Sequence, residues 1–461
     1  MSAVPGASDS LYAARQKVYV REVSGRYDRL RVVAVCALLG LFYGLPWLQW
    51  DGHQAILFDL PARKFHIFGL LFFPQDFFLL TWLLIIAAVS LFFFTALAGR
   101  LWCGYACPQT VWTSVFIGIE RWFEGNRQQR MKLDHAPWTL HKLLRKGGKQ
   151  TLWIAFAAFT GLTFVGYFSA IRELVPGLFT ASLGGWEYFW IAFYGFATYG
   201  NAGYLREQVC KYMCPYARFQ SAMFDRNTLI ISYDTKRGEP RGSRPRGVNP
   251  RERGLGDCVD CTLCVQVCPT GIDIRKGLQL ECIACAACID ACDGVMQRLD
   301  YAPGLIRYAT QNSMDGIKTR ILRPRTIIYS VLLLALVVGF GIAVAQRQLV
   351  AVDVMRDRNS LFRQLDDGRI ENVYTVRLIN KDTQAHTMRL DVQGLPGATL
   401  DSDRPEYLVG GGEIVSVAVR IRAPRGAAAG SHSLRIVARS DDTAALEPSA
   451  EARFVAPGLR P

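Results

Sequence analysis

Five stretches of the chain stay apolar long enough to cross a bilayer: 32–50, 77–98, 151–171, 186–204 and 326–345. A helix needs about 20 residues to span about 30 Å of hydrocarbon. Tyrosine, glycine and proline interrupt the first and fourth runs, whose aromatic residues suit an interfacial belt. Beyond residue 346 the apolar period shortens to two. VYTVRLIN at 373–380, HTMRLDV at 386–392, EIVSVAVRIRA at 413–423, SHSLRIVARS at 431–440 and EARFVA at 451–456 all alternate, with turn residues between them. That pattern predicts a small β-sandwich, immunoglobulin-like in type.

Charge orients the spans. The first 31 residues carry six Lys and Arg, the 99–150 segment nine against three acids, and the 205–325 segment nineteen against thirteen. The 51–76 loop holds only Arg63 and Lys64, and the 172–185 loop only Arg172. Basic segments face the cytoplasm, so an odd number of spans carries 346–461 to the other side, the periplasm of a Gram-negative cell. The net charge of +14 in 461 residues follows this flanking pattern and does not point to nucleic acid. The basic Pro/Gly-rich stretch 236–256 reads as a linker that could lie on anionic lipid heads or remain simply solvated. No cleavable secretory signal is visible at the start of the chain.

Twelve of the thirteen cysteines stand in groups; Cys36, alone in the first apolar run, reads as a packing residue. DCVDCTLCVQVCPTGIDI at 257–274 and ECIACAACIDACD at 281–293 both spell C-x2-C-x2-C-x3-C. Three thiolates two residues apart wrap three corners of a [4Fe–4S] cube, and the fourth cysteine of each run reaches the other cube. Cys258, Cys261, Cys264 and Cys292 are therefore assigned to one cluster, and Cys282, Cys285, Cys288 and Cys268 to the second. Zinc sites use cysteine pairs more than triplets. Pro269 follows the first run as expected, whereas Asp293 stands where the second run would have a proline and weakens its turn signal. Small residues beside the ligands (Gly271, Ala284, Ala286, Ala287) let backbone N–H groups approach cluster sulfurs. The fold class is thus a multi-domain α+β membrane protein. It has a cytoplasmic segment 1–31, four spans within 32–204, a two-cluster ferredoxin domain at 205–325, a fifth span at 326–345 and the sandwich at 346–461.

Two further motifs, WCGYACPQ and VCKYMCPY, follow the second and fourth spans. Each is a C-x3-C pair ahead of a proline that stops or bends the chain. If the spans continue as helix, Cys103 and Cys107 lie on one face, as do Cys210 and Cys214. All four thiols then share the cytoplasmic side and could form a soft site for copper, zinc or a further cluster, with the Met213 thioether as an extra ligand. A redox-active dithiol and plain helix-end packing remain open. His53 and His66 on the outer loop could bind metal or quinone, and Asp59 could pair with Arg63.

These motifs, with GRLWCGYACPQTVW, YLREQVCKYMCPYARFQSAMFD, FDLPARKFHIFG and GLIRYAT, resemble the cytochrome c oxidase accessory family CcoG, also called FixG or RdxA. The likeness runs over nearly the whole chain. It implies a bacterial inner-membrane polyferredoxin that acts in assembly of cbb3-type haem–copper oxidase as a cupric reductase, with the eight cysteines from Cys258 to Cys292 as cluster ligands. It also implies oxidase-assembly machinery or a copper chaperone as partner. An electron conduit fed by a quinol and a non-catalytic assembly scaffold are the competing functions; a homodimer is compatible with both. No nicotinamide or flavin fingerprint is present.

Overall fold

The computed structural model describes residues 17–244, 250–357, 360–424, 430–440 and 447–457. The beginning of the 1–31 segment and residues 245–249 of the basic linker lie outside it. The chain divides into two compact units. One comprises the residues up to Leu45, Leu84–Gly166 and Ile171–Leu336; the other comprises Pro46–Leu83, Tyr167–Ala170 and Val337 onward.

Each apolar run is helical over most of its length, the first ending in a 3-10 turn and a short strand, Gln49–Trp50, and the third in a turn after Val165. Helix α1 spans Arg26–Gly44 and α2 Phe77–Ala98. After a short α3, Leu101–Tyr105, come α4 at Pro108–Glu124, α5 at Arg127–His135 and α6 at Leu140–Val165. Then follow α7, Ile171–Thr180, α8, Gly185–Thr198, and α9, Tyr216–Ala222. The last apolar run forms Pro324–Ala345. Among the described residues three helical stretches are long and apolar enough to cross a membrane: Arg26–Trp47, Pro74–Ala98 and Pro324–Ala345. The third and fourth sequence runs differ for local reasons. Helix α6 begins with a basic turn, and α8 has only 14 α-helical residues before a π-helical turn, Tyr199–Leu205, takes over. These two helices approach closely at glycine. A Cβ at Gly161 would lie 2.3 Å from the Ile191 carbonyl oxygen, the small-residue contact used between helices in lipid.

Helix α4 is pinned beneath by buried charge. Glu120 meets Arg206 at 2.7 Å, Arg130 at 3.5 Å and Lys17 at 3.6 Å. Glu124 meets Lys149 at 2.8 Å and Lys146 at 3.1 Å. In the same unit, the strands Ile230–Tyr233 and Ile306–Ala309 pair antiparallel. They close over two helices that begin inside the cysteine runs, Leu263–Gln266 and Ala287–Arg298, around a core of Ile231, Tyr233, Ile274, Ile289, Met296 and Leu305. Asp290 in the second of these helices accepts from the Tyr27 N–H at 3.2 Å and the Asp28 N–H at 2.7 Å. An acidic side chain at a helix N-terminus is favoured by both the free N–H groups and the dipole, so α1 starts on the ferredoxin module.

In the second unit two sheets form the sandwich. One runs in the order Thr399–Ser402, Ile414–Ala423, Ile370–Asn380, Val350–Arg356; the other runs Tyr407–Val409, His386–Gln393, Gly430–Ser440, Ser449–Ala456. Alternate residues point inward, so Tyr374, Val376, Leu378, Val419, Ile421, Ile436 and Phe454 make the core. Asp76, just before α2, is buried against Lys381 at 2.7 Å, with Arg347 at 3.7 Å. His53 and His66 face each other with ring centroids 5.1 Å apart. Burial, helped by His53 and Lys64, lowers the pKa of His66. Asp59 does not take up Arg63 as the sequence suggested; it accepts from the Ala62 N–H at 2.8 Å and closes the hairpin turn.

Candidate functional site

The eight ferredoxin cysteines gather around two cavities. One is lined by Cys258, Cys261, Cys264 and Cys292, the other by Cys268, Cys282, Cys285 and Cys288, with Cys264 on the wall between. The two triplets repeat each other in backbone as well as in sequence. Asp260 and Thr262 have φ of 51° and 55°, and Ala284 and Ala286, at matching places in the second run, have 53° and 59°. Left-handed non-glycine residues are uncommon. Where one precedes right-handed residues, as Thr262 and Ala286 do at the starts of Leu263–Gln266 and Ala287–Arg298, successive N–H groups turn into a concave nest for an anion, a device found at Fe–S sites. Four cysteine donors around a cavity rimmed by such nests fit a [4Fe–4S] cluster, which when bound supplies one-electron redox chemistry. Burial pushes the thiols up: Cys264 to about 11, Cys282 and Cys292 to about 12. They hold their protons at neutral pH until metal displaces them.

Asp293 does not mark a defective turn. Pro269 follows a helix that has already ended, but Cys292 lies inside Ala287–Arg298, which runs on past it. A proline at 293 would break that helix; the aspartate instead accepts from the Gly304 N–H at 2.7 Å.

The paired cysteines are not on the faces of continuing spans, and that expectation is corrected. Gly99 takes φ +57° and ends α2. Cys103 lies in α3, while Cys107 is the extended residue before Pro108 and caps α4. Cys210 lies in a π-helical turn, Val209–Met213, and Cys214 is the extended residue before Pro215. In both motifs the proline ring excludes the α conformation from the preceding cysteine. The four thiols nevertheless come together: Cys103 feels Cys107 and Cys214, and Cys210 feels the other three. Burial and these neighbours push Cys103 to about 11 and Cys210 to about 12. Met213 stands apart, 58% exposed. Cys36, also exposed, lines a cavity at the start of α1.

These thiols abut the second cavity. Cys103 and Cys210 pack against a buried cluster of Val267, Ile283, Cys285 and Ala287. Gly104 makes this possible: a Cβ there would stand 2.8–2.9 Å from the Ile283 and Ala284 carbonyl oxygens and the Cys285 Cα. Gln220, fully buried, accepts from the Cys103 thiol at 3.3 Å. Buried Arg100 donates to the Leu280 and Ala217 carbonyls and carries its charge among Cys103, Cys282, Cys214 and Cys210. Arg275, held by Asp273 at 2.8 Å, is its counterpart on the first cavity. Sequence reasoning passed over Gly104, Arg100, Arg275 and Gln220; the only signal was their place within or beside the motifs. Among the described residues no three His, Cys, Asp or Glu side chains close on a single metal ion. For thiolates meeting the corners of a cube this is the natural spacing.

Fold and site together define an iron–sulfur polyferredoxin with membrane-association helices and an immunoglobulin-like domain. Residues 205–311 match the family described as a 4Fe-4S dicluster domain, 79–126 a 4Fe-4S binding domain, and 340–457 the IG-like fold at the C-terminus of FixG. The nitrogen fixation protein FixG of Rhizobium meliloti is 36% identical, the match covering 85% of this chain and 82% of that one. Proteins RdxB and RdxA of Cereibacter sphaeroides are 41% and 38% identical, over 84% and 85% of this chain and 83% and 85% of theirs. The chain belongs to the FixG/RdxA/RdxB family of iron–sulfur oxidoreductase-like proteins. A crystal structure of a FixG-related protein from Vibrio parahaemolyticus is 26% identical, covers 24% of this chain and 97% of that chain, and has a TM-score of 0.22.

Proposed function

We infer that this protein is a membrane electron-transfer protein that reduces Cu(II) to Cu(I) for assembly of a cbb3-type oxidase. On this reading Cys258, Cys261, Cys264 and Cys292 hold one [4Fe–4S] cluster, and Cys268, Cys282, Cys285 and Cys288 the other. The charge asymmetry of the sequence supports five spans in a bacterial inner membrane, with the ferredoxin domain cytoplasmic and the sandwich periplasmic.

The observation that carries the reading is that Cys103 and Cys210 pack against the buried cluster that contains Cys285. Soft donors in that position, near a residue read as a ligand of the second cluster, support electron transfer to a thiol-bound ion. The copper ion is the substrate. One electron converts Cu(II) to Cu(I), and thiols stabilise the reduced product because Cu(I) prefers soft ligands. Met213, at the surface, offers a thioether to an arriving ion.

The test is a variant with Cys103, Cys107, Cys210 and Cys214 all changed to serine. Iron is expected to stay at about eight atoms per chain, as two cubanes require, while Cu(II) reduction by the pre-reduced protein is lost. Reduction that survives removal of both clusters would overturn the mechanism. A fall in iron of several atoms would show a further cluster on the paired thiols instead.

A further inference from the structure

Within the first unit a cavity of about 290 Å³ opens between α1, α4 and the second cysteine run. Its walls include Val32, Val35, Ile117, Val267 and Ala287 and are mainly apolar. Cys285 and Cys210 line it as well. Exposed Arg21, Glu22 and Arg121 mark its rim. Val32, Val35 and Cys36 belong to the first two to three turns of α1, one of the three candidate membrane spans. The cavity therefore borders a candidate membrane span.

One group in the wall is out of keeping with its surroundings. Glu207 is only 7% exposed, yet among the described residues its sole hydrogen-bond partner is the Gln208 amide at 3.4 Å, and it forms no ion pair. Its neighbours are spoken for. Arg206 is paired with Glu120 at 2.7 Å, and the Gln109 amide donates to the Asn201 and Arg206 carbonyls at 2.9 and 3.2 Å. Buried carboxylates are normally paired or hydrogen-bonded. Glu207 lines the cavity, and a positioned carboxylate there can accept a proton from an occupant.

We propose that this cavity binds a quinol and that Glu207 is the base that deprotonates it, so that the protein draws its electrons from the membrane quinol pool. The volume lies at the lower end of ligand-site sizes, enough for one substituted ring with its isoprenoid tail left along α1. Oxidation breaks the two O–H bonds of the quinol and leaves the quinone. One electron goes to each of the two [4Fe–4S] clusters, by way of the Cys285 side. The first proton goes to the Glu207 carboxylate and the second to water at the rim. The inference rests on the electron-transfer reading of the cysteine runs, but quinone binding is measurable apart from it.

Gly118 supplies the test. It lines the cavity from α4, and nothing lies within 4 Å of where its Cβ would stand. Gly118→Leu therefore starts its side chain in open space and extends it into the cavity, in a helix that favours leucine over glycine. The purified full-length protein is titrated anaerobically, without copper, with oxidised decylubiquinone for binding and with its quinol for cluster reduction. Wild type is expected to bind the quinone and to show bleaching of cluster absorbance by the quinol. G118L loses both, while dithionite still reduces its clusters. Glu207→Gln keeps quinone binding but slows reduction by quinol about 100-fold, the lower bound for losing a general base. Unchanged binding in G118L, an unchanged rate in E207Q, or a phospholipid retained in the cavity that quinone fails to displace would overturn the proposal. If dithionite yields no reduced-cluster EPR signal, the electron-transfer reading fails, and quinone binding to wild type but not G118L still decides the site.

Discussion

Gly104 is glycine because three backbone atoms of the second cysteine run occupy the space a side chain would need. Gly104→Ala sets two effects against each other. Alanine in the interior of a helix gains up to about 1 kcal/mol over glycine, whereas overpacking a tight contact costs about 1–3 kcal/mol. The contact should win, because its partners are backbone and cannot rotate away. G104A is expected to lower the unfolding temperature and to slow Cu(II) reduction, with iron per chain unchanged; a faster or more stable variant would show that the motif does not need this close approach. The sequence displayed the cysteines openly, since C-x2-C-x2-C-x3-C has little other use, but Gly104 only as a spacer. Its reason is a contact across about 180 residues, which no local pattern encodes. The left-handed Ala284 and Ala286 were half legible: their smallness was visible, their conformation was not.

At the scale of elements, the chain's interruptions place the paired thiols. Pro108 and Pro215 were readable as stops, and both do force the preceding cysteine into an extended conformation. The π-helical turn at Val209–Met213 was not readable. Cys214 donates its N–H to Val209 five residues back, at 2.8 Å, and such turns recur at functional sites. What holds that region is Glu120. Burial works to raise its carboxyl, but Arg206, Lys17 and Arg130 outweigh burial and hold it below the usual range. The amphipathic pattern of α4 hid this residue as one more acid on a polar face. Glu120→Gln keeps the volume and leaves Arg206 and Arg130 buried beside a neutral amide. Breaking a buried pair in this way costs about 3–5 kcal/mol, so E120Q should unfold well below wild type in a thermal melt followed by circular dichroism. A change within about 0.5 kcal/mol, the range of surface substitutions, would mean that water reaches the network.

At the scale of the molecule, the two units differ in what sustains them. The second has an apolar sandwich core, most of whose strands were legible from alternation; Val350–Arg356 was missed because it follows directly on the last apolar helix. The first unit instead buries thiols with their protons on. Cys264, Cys103, Cys282, Cys292 and Cys210 lie at about 11 to 12, raised chiefly by burial, against about 8.5 for a free cysteine. A folded pKa above the unfolded one contributes stability that is full below the unfolded value and is lost as pH rises through the folded one. Iron-free protein should therefore lose stability steadily from about pH 8.5 upward, as the unfolded chain gives up thiol protons that the folded chain retains. In the iron-loaded protein the cluster ligands are already thiolates, so most of this dependence vanishes and the two melting curves diverge with pH. Thermal melts of both forms between about pH 7 and 10, a span that brackets the free-thiol value, check it. Parallel decline of the two curves would mean that the eight cysteines do not carry the metal, and would count against the cluster assignment itself.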